Sequence, residues 1–219
     1  MSNFPVDYEA DYVEERSRLT TFFRGFMVIP HMIVGFFLGI AAFFTIIAAW
    51  FAVVVTGKYP DGLYSFHAGL LRWSTRVNSY YLLATDAFPP FGLDEEASYP
   101  VRLRIAPPKS EYNRLHAFFR MITAIPSQIV LYALSFVGLA GAIAAWFVIL
   151  VTGKTSPTIQ MLINMYIAYS AKASSYMALM HEEWFPPIGE DANASGGVLP
   201  PGGDRTPTDS GISSTTTTP

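Results

Sequence analysis

Long uncharged stretches alternate along this chain with short segments in which apolar and charged residues take turns. After Pro30 come 25 residues, His31 to Val55, with no charged side chain when His31 is neutral. Ser127 to Val151 repeats this after Pro126. As helices they would each rise about 37 Å at 1.5 Å per residue, and about 20 such residues cross a bilayer core. A helix of this length in a soluble core keeps a polar stripe, and neither stretch has one, so both are expected to be transmembrane. A boundary helix is expected before each, Glu14 to Ile29 and Glu111 to Ile125. An amphipathic helix is expected after each, Leu63 to Ala87 and Ile159 to Met180. Leu63, Phe66, Leu70, Trp73, Val77 and Tyr80 share one face of the first, opposite Arg72, Thr75, Arg76 and Ser79. Ahead of the boundary helices, Val6 to Tyr12 and Val101 to Ile105 alternate with period two, the pattern of half-buried strands. The polar positions of the first are acidic and those of the second basic. The two strands either pair, acid opposite base, or each is an exposed arm.

These elements recur because the chain is a tandem duplication. Residues 17–58 and 113–154 align without a gap at an offset of 96, with 19 of 42 positions identical. The identities fall at chemically distinct landmarks: Arg-Leu, Phe-Phe-Arg, Ile-Pro, Ala-Ala-Trp-Phe and Val-Thr-Gly-Lys. Pro30 and Pro126 suit a first helical turn or a kink just before it. Gly57 and Gly153 suit C-terminal caps. Gly35 and Gly39 make a close-packing G-x-x-x-G spacing, not kept at Leu131 and Ser135. Each unit stops at an aromatic-Pro-Pro, Phe88-Pro89-Pro90 and Phe185-Pro186-Pro187. The resulting organisation is a first membrane repeat at 1–91, an acidic linker at 92–98, a second repeat at 99–188 and a tail at 189–219. The tail is Gly, Pro, Ser and Thr-rich and is expected to be disordered.

Composition narrows the function. Only 14% of residues are charged, and a net charge of −3 argues against a nucleic-acid partner. The absence of cysteine excludes disulfides and thiolate chemistry. The acidic N-terminus does not read as a cleaved signal. Gly153-Lys154-Thr155 looks like the end of a phosphate loop, but Val148 stands where that loop needs glycine. His31, His67, His116 and His181 lack metal-ligand spacing. No cofactor, no metal and no enzymatic activity are expected.

The cations suggest both topology and a site. Arg18, Arg24, Arg114 and Arg120, beside paired phenylalanines, suit headgroup-level anchors whose charges reach water. Landmarks shared by the units imply equal orientation, hence an even number of crossings per unit. Four crossings in all are expected, although Arg72 and Arg76 would each cost about 2.5–3.5 kcal/mol at mid-membrane. Arginines crowd the N-terminal side of each unit, and only Lys58 and Lys154 follow the long helices, so both termini are expected in the cytoplasm. No Asp or Glu stands between Gly62 and Thr85 or between Tyr112 and Met180, so Arg72, Arg76 and Lys172 have no intramembrane acid within the chain. They either snorkel to water or form an anion or partner-binding site, with Arg76 and Lys172 equivalent by duplication.

The runs RLTTFFRGFMVIP and AAWFAVVVTGKYPDGLYSFHAGLLRWSTRVNSYYLLATDAFPPF, with the preceding FPV strand, resemble the bacterial domain-of-unknown-function family 4389 over residues 4–91. Residues 99–187 resemble a diverged copy, in which Ala168 and Tyr169 replace Arg72 and Trp73. The resemblance implies a bacterial inner-membrane protein and names no activity. The expected fold is mainly α and integral to the membrane. The expected function is that of a non-enzymatic accessory or scaffold subunit contacting the lipid bilayer, acidic lipid or another membrane protein. The alternative is a small transporter or channel with an anion site at the repeat interface.

Overall fold

A computed structural model describes residues 4–184 together with Pro186 and Ile188. The tail at 189–219 lies outside the described residues, as do Phe185 and Pro187 of the second stop. The first repeat comprises β1 (Val6–Ala10), α1 (Arg18–Met27), α2 (Ile29–Thr56) and α3 (Asp61–Tyr81). The second comprises β2 (Val101–Ile105), α4 (Arg114–Phe118), α5 (Arg120–Thr123), α6 (Ile125–Thr152) and α7 (Pro157–Met177). The chain is thus mainly helical, with one two-stranded antiparallel sheet.

Local chemistry sets the element ends. The Ser17 hydroxyl accepts from Thr20 N–H to cap α1, and Asn113 accepts from Leu115 and His116 to cap α4. Pro30 and Pro126 lack the N–H that would continue a preceding helix. The break falls at Val28 before the first and at Ala124 before the second. Gly57 and Gly153 end α2 and α6 in left-handed conformations, φ 72° and 75°, that a Cβ would disfavour.

The strands pair between repeats. Asp7 faces Arg104 and Glu9 faces Arg102. Arg102 lies 3.3 Å from Glu9 and 2.7 Å from Asp11, and Arg104 lies 3.1 Å from Glu9. Val6, Tyr8 and Ala10 turn inward with Val101 and Leu103. The alternation legible in the sequence is therefore the alternation between core and water.

The repeats run antiparallel to one another. Tyr59, just before α3, donates to the carbonyl of Ala178 just after α7 at 3.0 Å. Gln160, in the first turn of α7, donates to Ala84 beyond the end of α3 at 2.7 Å. Each amphipathic helix folds back on its own apolar helix: Thr45 meets His67 at 3.1 Å, and the Tyr169 hydroxyl donates to Ser127 O at 3.3 Å. Hence α2 and α6 are antiparallel as well. The ends interlock reciprocally, with Arg16 N–H on Gly153 O at 2.9 Å and Tyr112 N–H on Gly57 O at 2.8 Å. These pairs are equivalent at the 96-residue offset, so the duplication folds around an approximate two-fold axis.

The sheet lies lengthwise on the α3–α7 pair. Along β1, Phe4 packs on His181 and under Lys172, Tyr8 donates to Asn164 at 3.1 Å, and Tyr12 donates to Thr155 O at 2.9 Å. That path covers roughly 25 Å, most of the length of α7. β2 follows α3 likewise, from Arg76 and Arg72 beside Val101–Leu103 to the Tyr64 hydroxyl on Ala106 O.

Asp7→Cys with Arg104→Cys places thiols at directly facing positions, and a disulfide is expected on mild oxidation. Asp7→Cys with Arg102→Cys, two residues out of register, should crosslink far less. Glu9→Lys sets like charges beside Arg102 and Arg104 and should lower stability by about 1 kcal/mol, read by thermal unfolding.

Candidate functional site: a one-sided apolar face and its groove

Buried arginines fix the architecture around the site. Arg24 is 3% exposed and Arg120 2%. Arg24 donates to Tyr80 O and to Thr85 O at 2.8 Å, pairs with Asp86, and stacks over the Tyr80 ring at 4.5 Å. Arg120 donates to His181 O at 2.8 Å and stacks over Tyr176 at 4.0 Å. Tyr80 lies in the last turn of α3, and Thr85 and His181 lie just beyond the ends of α3 and α7. There the chain reverses through Leu83 and Leu179, both with positive φ. Asp86 and Glu182 complete each lock by accepting from the backbone N–H of Ser17 at 2.8 Å and of Asn113. Arg24 and Arg120 are therefore internal clamps and do not carry their charges to water as headgroup anchors would. The reason is the supply of backbone carbonyls within reach, where each chain reverses after α3 or α7. Arg18 and Arg114 remain exposed, against Gly153 and Gly57 respectively.

The three cations of the amphipathic helices have separate surroundings. Arg72 lies 3.7 Å from Glu95. Arg76 donates to Gly92 O at 2.6 Å and to Asp94 O at 2.9 Å. The acidic linker folds back over α3 and supplies these partners from outside the helix. The Lys172 ammonium lies over the ring of Phe4 at 5.5 Å. Arg76 is thus engaged by the linker, and Lys172 faces Phe4, just ahead of the N-terminal strand of the other repeat.

Outside these clusters one side of the molecule is apolar. Most of the large exposed apolar side chains run along α1 and α2 from Leu19 to Val55 and along α4 to α6 from Leu115 to Val151. α3 and α7 add only Tyr81 and Met177, at their last positions. A continuous face of this extent on a water-soluble monomer is unusual. The two helical stretches Arg18–Thr56 and Arg120–Thr152 are long and apolar enough to span a membrane.

A groove of about 920 Å³ opens in this face between α2, α3, the α4–α5 segment and the end of α7. Its rims are exposed residues of the face itself, among them Phe43, Ile47, Phe51, Phe118 and Met121. His67 and Ser74 are among its polar lining residues. The His67 ring is occupied by Tyr59 at 2.9 Å and Thr45 at 3.1 Å. Among the described residues no three His, Asp or Glu side chains stand together as metal ligands.

The groove follows from divergence between the repeats. In the second, Gly138 and Gly141 let α6 sit closely on α7: a Cβ at Gly138 would come within 2.6 Å of Tyr166, and one at Gly141 within 3.2 Å of Ile163. The equivalent α2 positions are Ala42 and Thr45, and Ile46 replaces Ala142. These larger side chains hold α2 off α3. Leu70 stands where Tyr166 fills the second repeat.

The family assignment follows from both halves of this duplication. The family model described as Domain of unknown function (DUF4389) matches twice, at residues 18–92 and 114–188. The chain belongs to the DUF4389 family. No curated protein and no solved structure matches it. In this DUF4389 tandem the matched segments begin at Arg18 and Arg114, so each contains one clamping arginine with its carbonyl acceptors and one apolar helix. The groove was not legible as a site in the sequence. Its one signal was the loss of Gly138 and Gly141 at Ala42 and Thr45, which reads as helix spacing only once the helix pairs are known.

Arg24→Gln removes the cation from two carbonyls and leaves Asp86 only Arg16 at 4.0 Å, and should destabilise the fold by about 3 kcal/mol, with Arg120→Gln in the same direction. Thermal unfolding in detergent measures both. His181 is buried, shares a hydrogen bond with Ser175 at 2.9 Å, lies 3.3 Å from Glu183 and has Arg120 on its carbonyl. Burial pushes it down to about 4. An unfolded histidine titrates near about 6.5, so the unfolded chain takes up the proton first. Stability is therefore full above about 6.5 and falls as pH drops toward 4. His181→Gln should flatten that part of a stability–pH profile.

Proposed function

We propose that this protein is a monotopic, non-enzymatic membrane protein that lies in one leaflet, α2 and α6 sunk in hydrocarbon and the charged sheet in water. The observation that carries the reading is the sheet laid lengthwise on α3 and α7 opposite the apolar face. Were α3 and α7 to cross the bilayer, Asp7, Glu9, Arg102 and Arg104 would come to membrane depth with them. So would the open edges of a two-stranded sheet, whose unpaired N–H and C=O groups hydrocarbon does not tolerate. Laid flat, the same molecule presents water to the sheet and lipid to α2 and α6. A helix about 10–12 Å across fits within one leaflet of a hydrocarbon core about 30 Å thick.

Flat placement also satisfies the landmark argument. A two-fold axis along the membrane normal gives antiparallel helices in the plane while both repeats show the same face to lipid. Zero crossings is an even number, as equal orientation requires. It replaces the four-crossing arrangement, in which Lys58 and Lys154 would face the far side. The bilayer is the cytoplasmic membrane implied by the sequence resemblance, with the sheet and both chain ends toward the cytoplasm. The charged sheet is then the surface offered to a partner protein, which is the accessory or scaffold role. The transporter reading requires polar groups converging at mid-membrane. The buried cluster of Tyr8, Ser79, Gln160 and Asn164 lies beneath the sheet and is occupied by mutual hydrogen bonds.

The native chain has no cysteine, so single thiols report cleanly. Lys58→Cys, Lys154→Cys and Glu95→Cys should all resist an impermeant thiol reagent added to intact cells, and all should react in inverted vesicles. The protein should float with vesicles in high salt. Labelling of Lys58→Cys or Lys154→Cys from outside, with Glu95→Cys still protected, establishes a crossing and overturns the flat placement.

A further inference from the structure

We propose that the groove between α2 and the α4–α5 segment binds one acyl chain of an anionic phospholipid whose headgroup sits on Arg114 and Lys58. The inference rests on the flat placement and adds to it a specific lipid site in the first repeat alone.

Three observations point to this occupant. The groove is continuous with the apolar face, since its rims, Phe51 and Phe118 among them, are exposed members of that face. Whatever fills it must therefore be as apolar as the surrounding lipid, and its about 920 Å³ lies within the range of pockets that enclose a small organic ligand.

The charge arrangement supplies the headgroup end. Arg114 lies one helical turn before Phe118, on α4, and donates to Thr56 O at 3.3 Å, which brings it beside Gly57 and Lys58. Both cations are exposed. One turn is about 5.4 Å, so they stand at the end of the groove, level with a phosphate whose chain runs inward past Trp50. The duplicate end of the molecule is built otherwise. There Lys154 is held by Glu14 at 3.0 Å, and Glu15 pairs its backbone with Lys154. At the groove end, Ser110 stands at the position equivalent to Glu14, leaving Glu111 as the adjacent acid, itself exposed. The anionic partner that Lys154 finds within the chain is thus replaced at Lys58 by a neutral residue.

The third observation is that only one of the two duplicated clefts is open. Gly138 and Tyr166 close the second repeat, and Ala42, Ile46 and Leu70 keep the first apart. Gly39 completes the opening, because a Cβ there would meet nothing within 4 Å. A feature required only for sinking into lipid would have no reason to differ between repeats that present the same face.

The test uses the full chain, purified in mild detergent from mixed vesicles of phosphatidylglycerol and phosphatidylcholine with identical acyl chains. Native mass spectrometry counts retained lipid. The wild type is expected to hold one phosphatidylglycerol molecule per chain in preference to phosphatidylcholine. Gly39→Phe starts from a position whose Cβ meets nothing within 4 Å, sets a ring into the groove, and should lower that retention at least tenfold. Arg114→Gln with Lys58→Gln should abolish the preference for the anionic lipid. Ser135→Phe, at the equivalent position of the closed repeat, should change nothing. Vesicle flotation of every variant should equal that of wild type. Unchanged lipid retention in Gly39→Phe, with flotation intact, overturns the groove site while leaving the flat placement standing. Equal retention of the two lipids by wild type overturns the headgroup assignment. Loss of flotation by the wild type overturns the placement on which the inference rests.

Discussion

The charge-matched pairing of β1 with β2 is the contact on which the arrangement depends. It joins the first strand of one repeat to the first strand of the other, far apart in sequence. Acid on one strand and base on the other make the cross-repeat pair complementary, whereas pairing of either strand with its own kind would place like charges face to face. Once paired, the sheet has an apolar side formed by Val6, Tyr8, Val101 and Leu103. Burying that side fixes where α3 and α7 must lie. With α3 and α7 antiparallel beneath the sheet, their hairpin partners α2 and α6 take the remaining side.

The arginine locks serve the same end from within each repeat. Backbone carbonyls buried away from water must be satisfied. Arg24 and Arg120 meet this need with charged donors carried on the boundary helices, which ties each boundary helix to the end of its amphipathic helix. Asp86 and Glu182 close the circuit by serving the opposite need, that of unpaired N–H groups at a helix start. The lock survives divergence because its acceptors are mostly backbone. Thr85 is replaced by His181 at the equivalent position, yet the carbonyl remains in place.

Divergence shows instead where side-chain volume sets helix separation. The glycine pair on α6 and the bulkier residues on α2 produce one tight hairpin and one loose one from the same template. The loose one carries the groove. Duplication supplies the frame, and a handful of substitutions make its halves unequal.

The sequence by itself determined the duplication, the long apolar helices, and their proline starts and glycine ends, and it offered the strand pairing as one of two readings that the structure then decided. Each rests on local spacing or on charges that read directly from neighbouring residues. It did not determine the direction in which the repeats meet, because shared landmarks say how units match and not how they are stacked. Nor did it place Arg24, Arg120, Arg72 and Arg76, whose partners are backbone carbonyls or linker acids outside their own helices. A carbonyl has no signature in a sequence, so a buried arginine reads the same as a surface one. The groove belongs to this second class. Ala42 and Leu70 are ordinary apolar residues until α3 is laid beside α2, and only the tertiary structure decides that distance.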